Sequence, residues 1–270
     1  MSPDGWILRF REPPAVTVDA SPLLPERLCG TGEREVAAIP LQYGRARVAL
    51  GDLCVLSVGP PQTLVIEGSN HKVRGIGRKA SRGTLIVDGD AGDLVGEGLC
   101  GARIEVRGSV GDRLASGMQA GVIEVSGAAG DFACAALPGG ESTAGGIVRI
   151  GGRTGARAGD RMRRGVLVCE GGAGALTGAF MLGGTIVVRG DLGRDPGFAM
   201  RRGSLIALDA PTEAPATFRD DGAHEFLWLA LLERHLRETA GLDLCLPRRL
   251  RRFSGCASVG GRGELLFVSH

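Results

Sequence analysis

Residues 85–89 read LIVDG, and the same pattern returns as IEVRG (104–108), IEVSG (123–127), VRIGG (148–152), LVCEG (167–171) and IVVRG (186–190). LVIEG (64–68) precedes this series, and LIALD (205–209) closes it with an aspartate in place of the glycine. From Gly68 onward, the intervals between these last positions are 21, 19, 19, 25, 19, 19 and 19 residues. Fixed-period units of this size are supersecondary pieces that bury a core only by stacking on each other.

Each unit also carries glycine at two further fixed places. A second glycine follows the strand's final glycine by three residues, as Gly111 follows Gly108. Another glycine stands just before the next strand, where Ala102 is the one exception: Gly83, Gly121, Gly146, Gly165, Gly184 and Gly203. Such a pattern predicts either backbone with positive φ or backbone too close to a neighbour for a Cβ atom.

The side chains predict which positions face inward. Period-2 alternation turns the apolar residues of each strand to one face and the charged residues to the other. A second inward column is expected three residues before the pre-strand glycine: Leu99, Met118, Met162, Met181 and Met200. Flexible thioethers suit an irregular interior. We therefore expect an all-β chain whose 19-residue units are circuits of a parallel β-helix, with successive strands roughly 4.8 Å apart.

The chain divides into three segments. Residues 1–60 are expected to be an N-terminal capping segment, because a solenoid must close its open end. Residues 61–210 form the repeat, and the six extra residues of its longest unit are expected in a surface loop around Leu137–Ser142. Residues 211–270 are expected to contain a C-terminal helix and a tail.

Within the end segments, strands are predicted at Trp6–Phe10 and Val16–Val18, and a short helix at Gly32–Ile39. The longest helix is predicted over Ala223–Ala240, with Asp221 as its N-cap and Gly241 as its stop. Two roles remain open for this apolar helix, an interface with another subunit and an intramolecular cover. The basic run Arg248–Arg252 is interpreted as a solvated or partner-facing segment, and Gly263–Val268 as a final strand.

Composition limits the possible functions. The chain has 46 glycines among 270 residues and 4% aromatic residues, a balance typical of a solenoid. A net charge of +2 gives no general attraction to nucleic acid. The sequence has neither a membrane-length apolar run nor a leader pattern, and its seven cysteines have no CxxC spacing. These features favour reduced thiols and a cytoplasmic protein.

Motifs for catalysis are missing from the sequence. Four histidines occur, and none lies in a metal-ligand spacing such as HExxH. His71, in a loop of the first unit, is interpreted as a solvated residue or one bonded to backbone. The sequence contains no GxSxG motif or P-loop, so we expect no catalytic and no metal-binding residue.

Two charged columns accompany the repeat. Asp93, Asp112 and Asp131 follow the second glycine in three successive units, and we interpret them as acceptors for turn N–H groups, with an ion ladder as the alternative. The second column is basic and stands before the pre-strand glycine: Arg82, Arg163, Arg164, Arg201 and Arg202. Guanidinium groups on one edge suit carboxylates of a partner or an acidic ligand. The alternative is a solvated face of intramolecular ion pairs.

The sequence resembles the C subunit of formylmethanofuran dehydrogenase and its bacterial relative in the formyltransferase/hydrolase complex of methylotrophs. The residues that carry this resemblance are Pro22–Leu28, Glu35–Ile39, Tyr43–Gly44, Leu50–Leu53 and the train of GxxG units. The resemblance covers roughly residues 17–265. The repeat alone is also similar to the C-terminal β-helix of the glutamate synthase large subunit.

The resemblance implies a right-handed parallel β-helix without catalytic residues of its own. The implied partners are an amidohydrolase-like A subunit, a B subunit and a D subunit that is the formyltransferase. Together they transfer formyl from tetrahydromethanopterin to methylofuran and release formate. The carrier of that family, methanofuran or methylofuran, has a glutamyl tail, so Arg163, Arg164, Arg201 and Arg202 are candidate residues for binding that tail or a sister subunit.

Three alternatives remain open. The chain could be the C subunit of a formylmethanofuran dehydrogenase proper, or a glutamate-synthase-like module, although amidotransferase and synthase domains are lacking. A β-helix acyltransferase would have repeats near 18 residues and a catalytic histidine on a rung, which the 19-residue interval argues against.

Overall fold

The computed structural model describes residues 3–137, 145–209 and 214–268, and these residues form an all-β fold with few helices. The strands are β1 (Trp6–Phe10), β2 (Val18–Asp19), β3 (Pro40–Tyr43), β4 (Ala46–Ala49), β5 (Cys54–Val58), β6 (Thr63–Ser69), β7 (Val73–Arg74), β8 (Thr84–Gly89), β9 (Cys100–Val106), β10 (Ala120–Val125), β11 (Ile147–Ile150), β12 (Val166–Cys169), β13 (Leu182–Val188), β14 (Arg202–Ala207), β15 (Arg219–Glu225), β16 (Arg249–Gly255) and β17 (Gly263–Phe267). The helices are α1 (Pro25–Leu28), α2 (Glu33–Ala37), α3 (Leu50–Leu53) and α4 (Trp228–Ala240).

One thirteen-stranded sheet contains the repeat. Its order is β15-β16-β17-β14-β13-β12-β11-β10-β9-β8-β6-β1-β5, and each strand from β8 to β14 is parallel to the one before it in the repeat. Paired residues lie one repeat apart, so Leu85 opposes Ile104, and Ile104 opposes Ile123. The repeat interval is therefore the length of chain between neighbouring strands.

The segments that connect the strands are also hydrogen-bonded to one another. The N–H of Arg113 donates to the carbonyl of Asp131 at 2.8 Å, and the N–H of Leu176 donates to the carbonyl of Arg194 at 2.9 Å. Isolated parallel bridges join Val110 to Ala129 and Ala173 to Leu192. Each unit thus contacts the next along two separate lines of backbone.

The core lies between these two lines. Inward strand residues such as Leu85, Ile104 and Ile123 are completely buried, and so is the predicted methionine column, where Met181 and Met200 are 0% exposed. These methionine side chains lie against the glycines of the following unit. A Cβ on Gly146, for example, would stand 2.3 Å from the Cε atom of Met118.

Both kinds of regularly spaced glycine lie close to the neighbouring unit. The pre-strand glycines also adopt positive φ, for example +87° at Gly165 and +102° at Gly203, a region that other residues rarely enter. Most of the glycines after the strands have ordinary φ and are required by the close approach alone. A Cβ on Gly130 would lie 2.1 Å from Oδ1 of Asp112, and one on Gly171 would lie 2.6 Å from the carbonyl carbon of Gly152.

The N-terminal segment contributes two strands to the large sheet. Strand β1 is parallel to β6 and antiparallel to β5, which forms one edge. Strands β4, β3, β2 and β7 form a second, small sheet. The predicted strand at Trp6–Phe10 is confirmed, the helix expected at Gly32–Ile39 is shorter, and the strand expected at Val16–Val18 lies over Val18–Asp19.

The prediction of a helix over Ala223–Ala240 with Asp221 as N-cap is wrong at its start. Residues 219–225 form β15, which pairs antiparallel with β16, so Asp220 meets the guanidinium of Arg251 across the two strands. The helix begins at Trp228 and ends at Ala240, and the φ of +70° at the following Gly241 matches the predicted stop. The basic run is consequently part of a strand, and β17 confirms the final strand.

Helix α4 covers the outer face of the sheet at its C-terminal half. Leu229, Leu232 and Leu236 of the helix pack with the outward-facing Val168, Val187 and Ile206 of β12 to β14. The opposite face of the helix is solvent-exposed, with Leu227 77% and Leu231 67% exposed. The intramolecular cover is therefore observed, and two leucines remain on the surface.

Two further sequence predictions concern the surface loop of the longest unit and the possibility of a membrane-spanning segment. The loop expected around Leu137–Ser142 falls, beyond Leu137, outside the described residues. Among the described residues, the longest helix is too short and too polar to span a membrane.

Candidate functional site

The four arginines predicted to form a site lie on one edge of the repeat. Arg163 and Arg164 lie before Gly165, which precedes strand β12, and Arg201 and Arg202 occupy the equivalent place before Gly203 at the start of β14. All four side chains are exposed. Their common place follows from the repeat, because each pair stands next to a pre-strand glycine.

Backbone hydrogen bonds fix the spacing of the two pairs. The carbonyl of Met162 accepts the N–H of Gly183, and the carbonyl of Met181 accepts the N–H of Arg202. One unit without arginine therefore separates the pairs, which places them roughly 10 Å apart along the edge at the spacing of parallel strands.

The unit between the pairs carries Gly183 in place of an arginine. A Cβ on Gly183 would lie 2.4 Å from the carbonyl oxygen of Arg163, so only glycine fits there. Within the described part of the chain, Arg164, Arg201 and Arg202 have no ion-pair partner. The expected alternative, a face of intramolecular ion pairs, is thus not what these three residues form.

The structure adds a fifth arginine that the repeat pattern did not indicate. The N–H of Arg262 donates to the carbonyl of Arg201 at 2.7 Å, which places Arg262 one step further along the same edge. Its side chain is exposed. Strand β17 follows a long excursion through β15, α4 and β16, so no fixed interval in the sequence links it to the repeat. We call Arg163, Arg164, Arg201, Arg202 and Arg262 the arginine edge.

Most of the run Arg248–Arg252 is engaged elsewhere. Arg248 pairs with Glu233, Arg251 with Asp220, and Arg252 with Glu264. Glu264 also accepts a hydrogen bond from the hydroxyl of Ser204 at 2.6 Å. The carboxylate two residues after Arg262 is therefore already bound, and the arginine edge keeps a positive character.

The aspartate column holds neighbouring units together. Oδ1 of Asp93 accepts the N–H of Asp112 at 2.9 Å, Oδ1 of Asp112 accepts the N–H of Asp131 at 2.8 Å, and Oδ1 of Asp131 accepts the N–H of Ala156 at 2.7 Å. Backbone N–H groups are the expected partners, but they belong to the next unit rather than to the same turn. Because each carboxylate has such a donor, the column is structural.

Other reactive side chains do not gather into a site. Among the described residues, no three His, Cys, Asp or Glu side chains are close enough to hold a metal ion. His71 is exposed, and His235 contacts Thr239 on α4. All seven cysteines are free.

Three of the buried cysteines are chemically quiet. Burial raises the pKa of Cys54 and of Cys169 to about 12, and burial also raises the pKa of Cys134 strongly. These thiols therefore stay protonated at neutral pH and are poor nucleophiles.

Curated relatives match part of the chain. No model of a known protein family matches it. The C subunit of the formyltransferase/hydrolase complex Fhc of Methylorubrum extorquens is 36% identical over 85 residues, which is 32% of each chain. The C subunit of tungsten-containing formylmethanofuran dehydrogenase 2 of Methanothermobacter marburgensis is 29% identical over 97 residues, 34% of this chain and 36% of the relative. The matched stretches thus span about a third of the length of these curated relatives.

A solved structure matches nearly the whole fold. It is a chain of the formyltransferase/hydrolase complex (FhcABCD) from Methylorubrum extorquens in complex with methylofuran, superimposed with a TM-score of 0.88 at 35% sequence identity. The match covers 98% of this chain and 100% of that chain. The repeat, the N-terminal strands and the C-terminal helix are thereby included. The chain belongs to the family formed by the C subunit of the formyltransferase/hydrolase complex, which is related to the C subunit of formylmethanofuran dehydrogenase.

Proposed function

We propose that this chain is the non-catalytic, structural C subunit of a formyltransferase/hydrolase complex. That complex transfers formyl from tetrahydromethanopterin to methylofuran and releases formate during one-carbon oxidation. The observation that carries the proposal is the match to a chain of such a complex over 98% of this sequence at 35% identity. The structure of the repeat agrees with this proposal. Its inward side chains pack against those of neighbouring units, and its edge carries exposed charged residues.

We infer that the units wind as a right-handed parallel β-helix. Two observations support this inference: the parallel register from β8 to β14 and the separate line of hydrogen bonds through the connecting segments. A solenoid of this kind is rigid along its axis, since each unit is held by its neighbours. Such a body suits a subunit that sets the distance between catalytic partners.

The proposed partners are an amidohydrolase-like A subunit, a B subunit and a D subunit that is the formyltransferase. Purification of the tagged chain from its native cells under mild conditions, with mass identification of the accompanying proteins, tests this assembly. Formyltransferase and amidohydrolase-like subunits in the eluate would support the proposal. A chain that elutes alone at 27.9 kDa would contradict it.

We propose that the arginine edge binds carboxylates, either the glutamyl tail of methylofuran or acidic residues of a sister subunit. Four of its arginines have no ion-pair partner within the described ranges, and the spacing of roughly 10 Å suits an extended acidic chain. Arginine binds carboxylates with paired N–H donors, so the contact is stronger than one made by a point charge.

Charge reversal tests the arginine edge. In the Arg201→Glu/Arg202→Glu variant we expect reduced retention of methylofuran or of a partner subunit in the purified complex. The matched control is Arg189→Glu/Arg194→Glu, because these two exposed arginines lie on the preceding unit away from the arginine edge. Equal retention of carrier and partners in both double variants would end the proposal.

A second candidate is the C subunit of a formylmethanofuran dehydrogenase. The 29% identity to the corresponding subunit of the tungsten enzyme favours it. The same purification separates the candidates, because a dehydrogenase would bring a tungsten- or molybdenum-containing subunit and no formyltransferase. The greater identity and coverage of the hydrolase-complex structure support the first candidate.

We place this complex in the cytoplasm. The support is chemical, since the seven cysteines are all free and structural thiols stay reduced in that compartment.

A further inference from the structure

Strand β5 forms one edge of the thirteen-stranded sheet, and among the described residues no further strand lies beside it. The strand reads CVLSV and contains neither a charged residue nor a proline. Val55 is 46% exposed and Val58 is 69% exposed. An exposed, uncharged edge strand is a ready template for pairing with another chain, so soluble proteins normally protect such an edge.

The opposite edge of the same sheet, strand β15, is protected in two ways. It reads RDDGAHE, so four of its seven residues are charged, and Arg219 pairs with Asp221 at 2.9 Å. Its register with β16 also shifts between Asp220 and Gly222. Charges and irregularities of this kind prevent edge-to-edge pairing. Strand β5 has an uninterrupted register with β1 and no charge, so the two edges of one sheet differ.

The hydrogen bonds at both ends of β5 show which of its backbone groups point toward β1. The N–H of Arg11 donates to the carbonyl of Leu53 at 2.9 Å, and the N–H of Gly59 donates to the carbonyl of Gly5 at 3.0 Å. In an antiparallel pair of strands, hydrogen-bonded pairs of residues alternate with pairs that are not hydrogen-bonded. With the observed register, the odd-numbered residues of β5 therefore bond to β1.

The alternation leaves the backbone groups of Leu56 and Val58 pointing away from β1. Their N–H and C=O groups face the free edge, whereas those of Val55 and Ser57 are used inside the sheet. A strand added at this edge would supply partners to both outward residues. Its apolar side chains would form favourable cross-strand pairs with Val55 and Val58.

The length of β5 indicates what kind of partner it takes. Its five residues span about 17 Å, which is too short to bury the roughly 1,200–2,000 Å² of a stable protein–protein interface. Two copies of this chain that paired through β5 alone would therefore separate. A sister subunit of the proposed complex meets the requirement, because contacts elsewhere on the chain can supply the remaining area.

We propose that β5 accepts an extended, uncharged segment of a sister subunit as an additional strand of the sheet. Hydrogen bonds with Leu56 and Val58 fix the position of that segment along the edge. The inference rests on the proposed function, because the partner is a subunit of that complex. It is independent of the arginine edge, which lies toward the other end of the repeat.

Hydrogen–deuterium exchange resolved to single amides, measured on the isolated chain and on the purified complex, tests this strand addition. We expect the amides of Leu56 and Val58 to exchange about tenfold more slowly in the complex, because each gains an acceptor. The amides of Val55 and Ser57 are the internal control, since they already donate to β1 and should exchange at equal rates in both samples. This alternation distinguishes an added strand from general burial.

A proline variant tests the same contact by association. Val58→Pro removes an outward N–H without taking a hydrogen bond from β1, and its exposed side chain contributes little to the core. We expect about tenfold weaker retention of the partner subunit. Val58→Thr is the matched control, because it keeps the N–H and a β-branched side chain. Thermal unfolding of both isolated variants checks that they fold.

Three results would overturn the proposal. Equal exchange of Leu56 and Val58 in the isolated chain and in the complex would end it and leave the proposed function intact. Protection that appears in the isolated chain and grows with its concentration would assign the edge to a second copy. If the chain brings no sister subunit, the proposed function fails and this strand addition fails with it.

Discussion

At the scale of single residues, the repeat depends on the missing Cβ atom of its glycines. The carboxylate of each aspartate in the column lies against the second glycine of the next unit and accepts a hydrogen bond from a backbone N–H beyond it. Asp112, for example, lies against Gly130 and accepts from the N–H of Asp131. The aspartate therefore needs the glycine in order to make this hydrogen bond. This explains why the GxxG pattern and the following aspartate occur together in three successive units.

Replacing Gly130 with alanine should destabilise the chain. The new Cβ would lie 2.1 Å from Oδ1 of Asp112 and 2.9 Å from the backbone N of the same residue, so the two units must move apart. We expect a loss of about 2 kcal/mol in the free energy of unfolding, as for overpacked interiors. Urea unfolding measures this loss. Gly32→Ala is the control, because no atom lies within 4 Å of its Cβ position, and equal stability of the two variants would contradict the explanation.

A buried carboxylate holds the connecting segments in the same way. Asp160 is 3% exposed and pairs with Nε of Arg157 at 2.9 Å and with Nη1 of Arg161 at 2.7 Å. Both guanidinium groups also lie over the ring of Phe180, at 5.8 and 4.8 Å from its centroid. The aspartate thus orients a cluster of arginine and phenylalanine on this side of the repeat.

Asp160→Asn should cost about 2–4 kcal/mol of unfolding free energy, because it leaves two guanidinium groups without a carboxylate. The estimate lies below that for a fully buried pair, since Arg161 is 57% exposed. Thermal or urea unfolding gives the value. In Asp191→Asn, whose side chain is 92% exposed and 3.7 Å from Arg153, we expect no measurable change. A similar, small effect for both variants would argue against the role of Asp160.

Sequence reasoning predicts the glycine places but not the cause at each place. A close approach alone requires glycine at Gly130, whereas Gly165 combines a close approach with positive φ. The backbone conformation of the connecting segments is harder to predict. Phe132, Arg157 and Leu176 adopt φ near +60°, a conformation usually reserved for glycine, so their sequence gives no sign of it. The backbone is held there by hydrogen bonds from neighbouring units.

At the scale of elements, helix α4 is an external layer on the sheet. Its buried side contains Leu229 and Leu236, both 0% exposed, and its outer side contains Leu231. Leu229→Ala should cost about 2–5 kcal/mol through the lost contacts and the cavity. Leu231→Ala should change stability by less than about 0.5 kcal/mol. Denaturation of the two variants checks this, and equal losses would mean that the helix does not pack as described.

The attachment of α4 should weaken in acid. Partial burial raises the pKa of Glu233, but hydrogen bonds from Arg248 and from the N–H of Leu246 outweigh it, so the pKa is lowered overall. A lowered folded pKa contributes stability at neutral pH that is lost as the pH falls below the ordinary value of 4.5. Stability measured from pH 7 to pH 3 should fall less in Glu233→Gln than in the unchanged chain. Parallel pH profiles would contradict this role.

The start of this helix marks a limit of local sequence patterns. Asp221 and Gly222 precede an apolar run, which resembles a helix N-terminus. The residues 219–225 instead pair with β16 some thirty residues later, and such a distant partner leaves no local signal. The end of the helix was predictable because Gly241 acts locally through its positive φ. The same reasoning explains why Arg262 was missed, since its neighbour Arg201 is distant in sequence.

At the scale of the whole molecule, two sets of backbone hydrogen bonds join each unit of the repeat to the next. The strands stack through one line of hydrogen bonds and the connecting segments through another, and the N- and C-terminal strands continue the same sheet. The ends of the repeat carry different chemistry. The arginine edge lies toward the C-terminal end, and a cavity lined by Asp4, Glu26 and Arg82 lies at the N-terminal end. A chain whose two ends differ in chemistry suits a subunit that joins several partners.

The most direct test of the central claim is the formyl-transfer and formyl-hydrolysis activity of three preparations. These are the complete complex, the isolated chain, and the complex purified from cells that lack this chain. We expect activity in the complete complex, none in the isolated chain, and loss of the assembled complex when the chain is missing. Formyl transfer or hydrolysis by the isolated chain would show that the chain is itself catalytic, and a fully active complex that assembles without it would show that the chain is not a structural subunit.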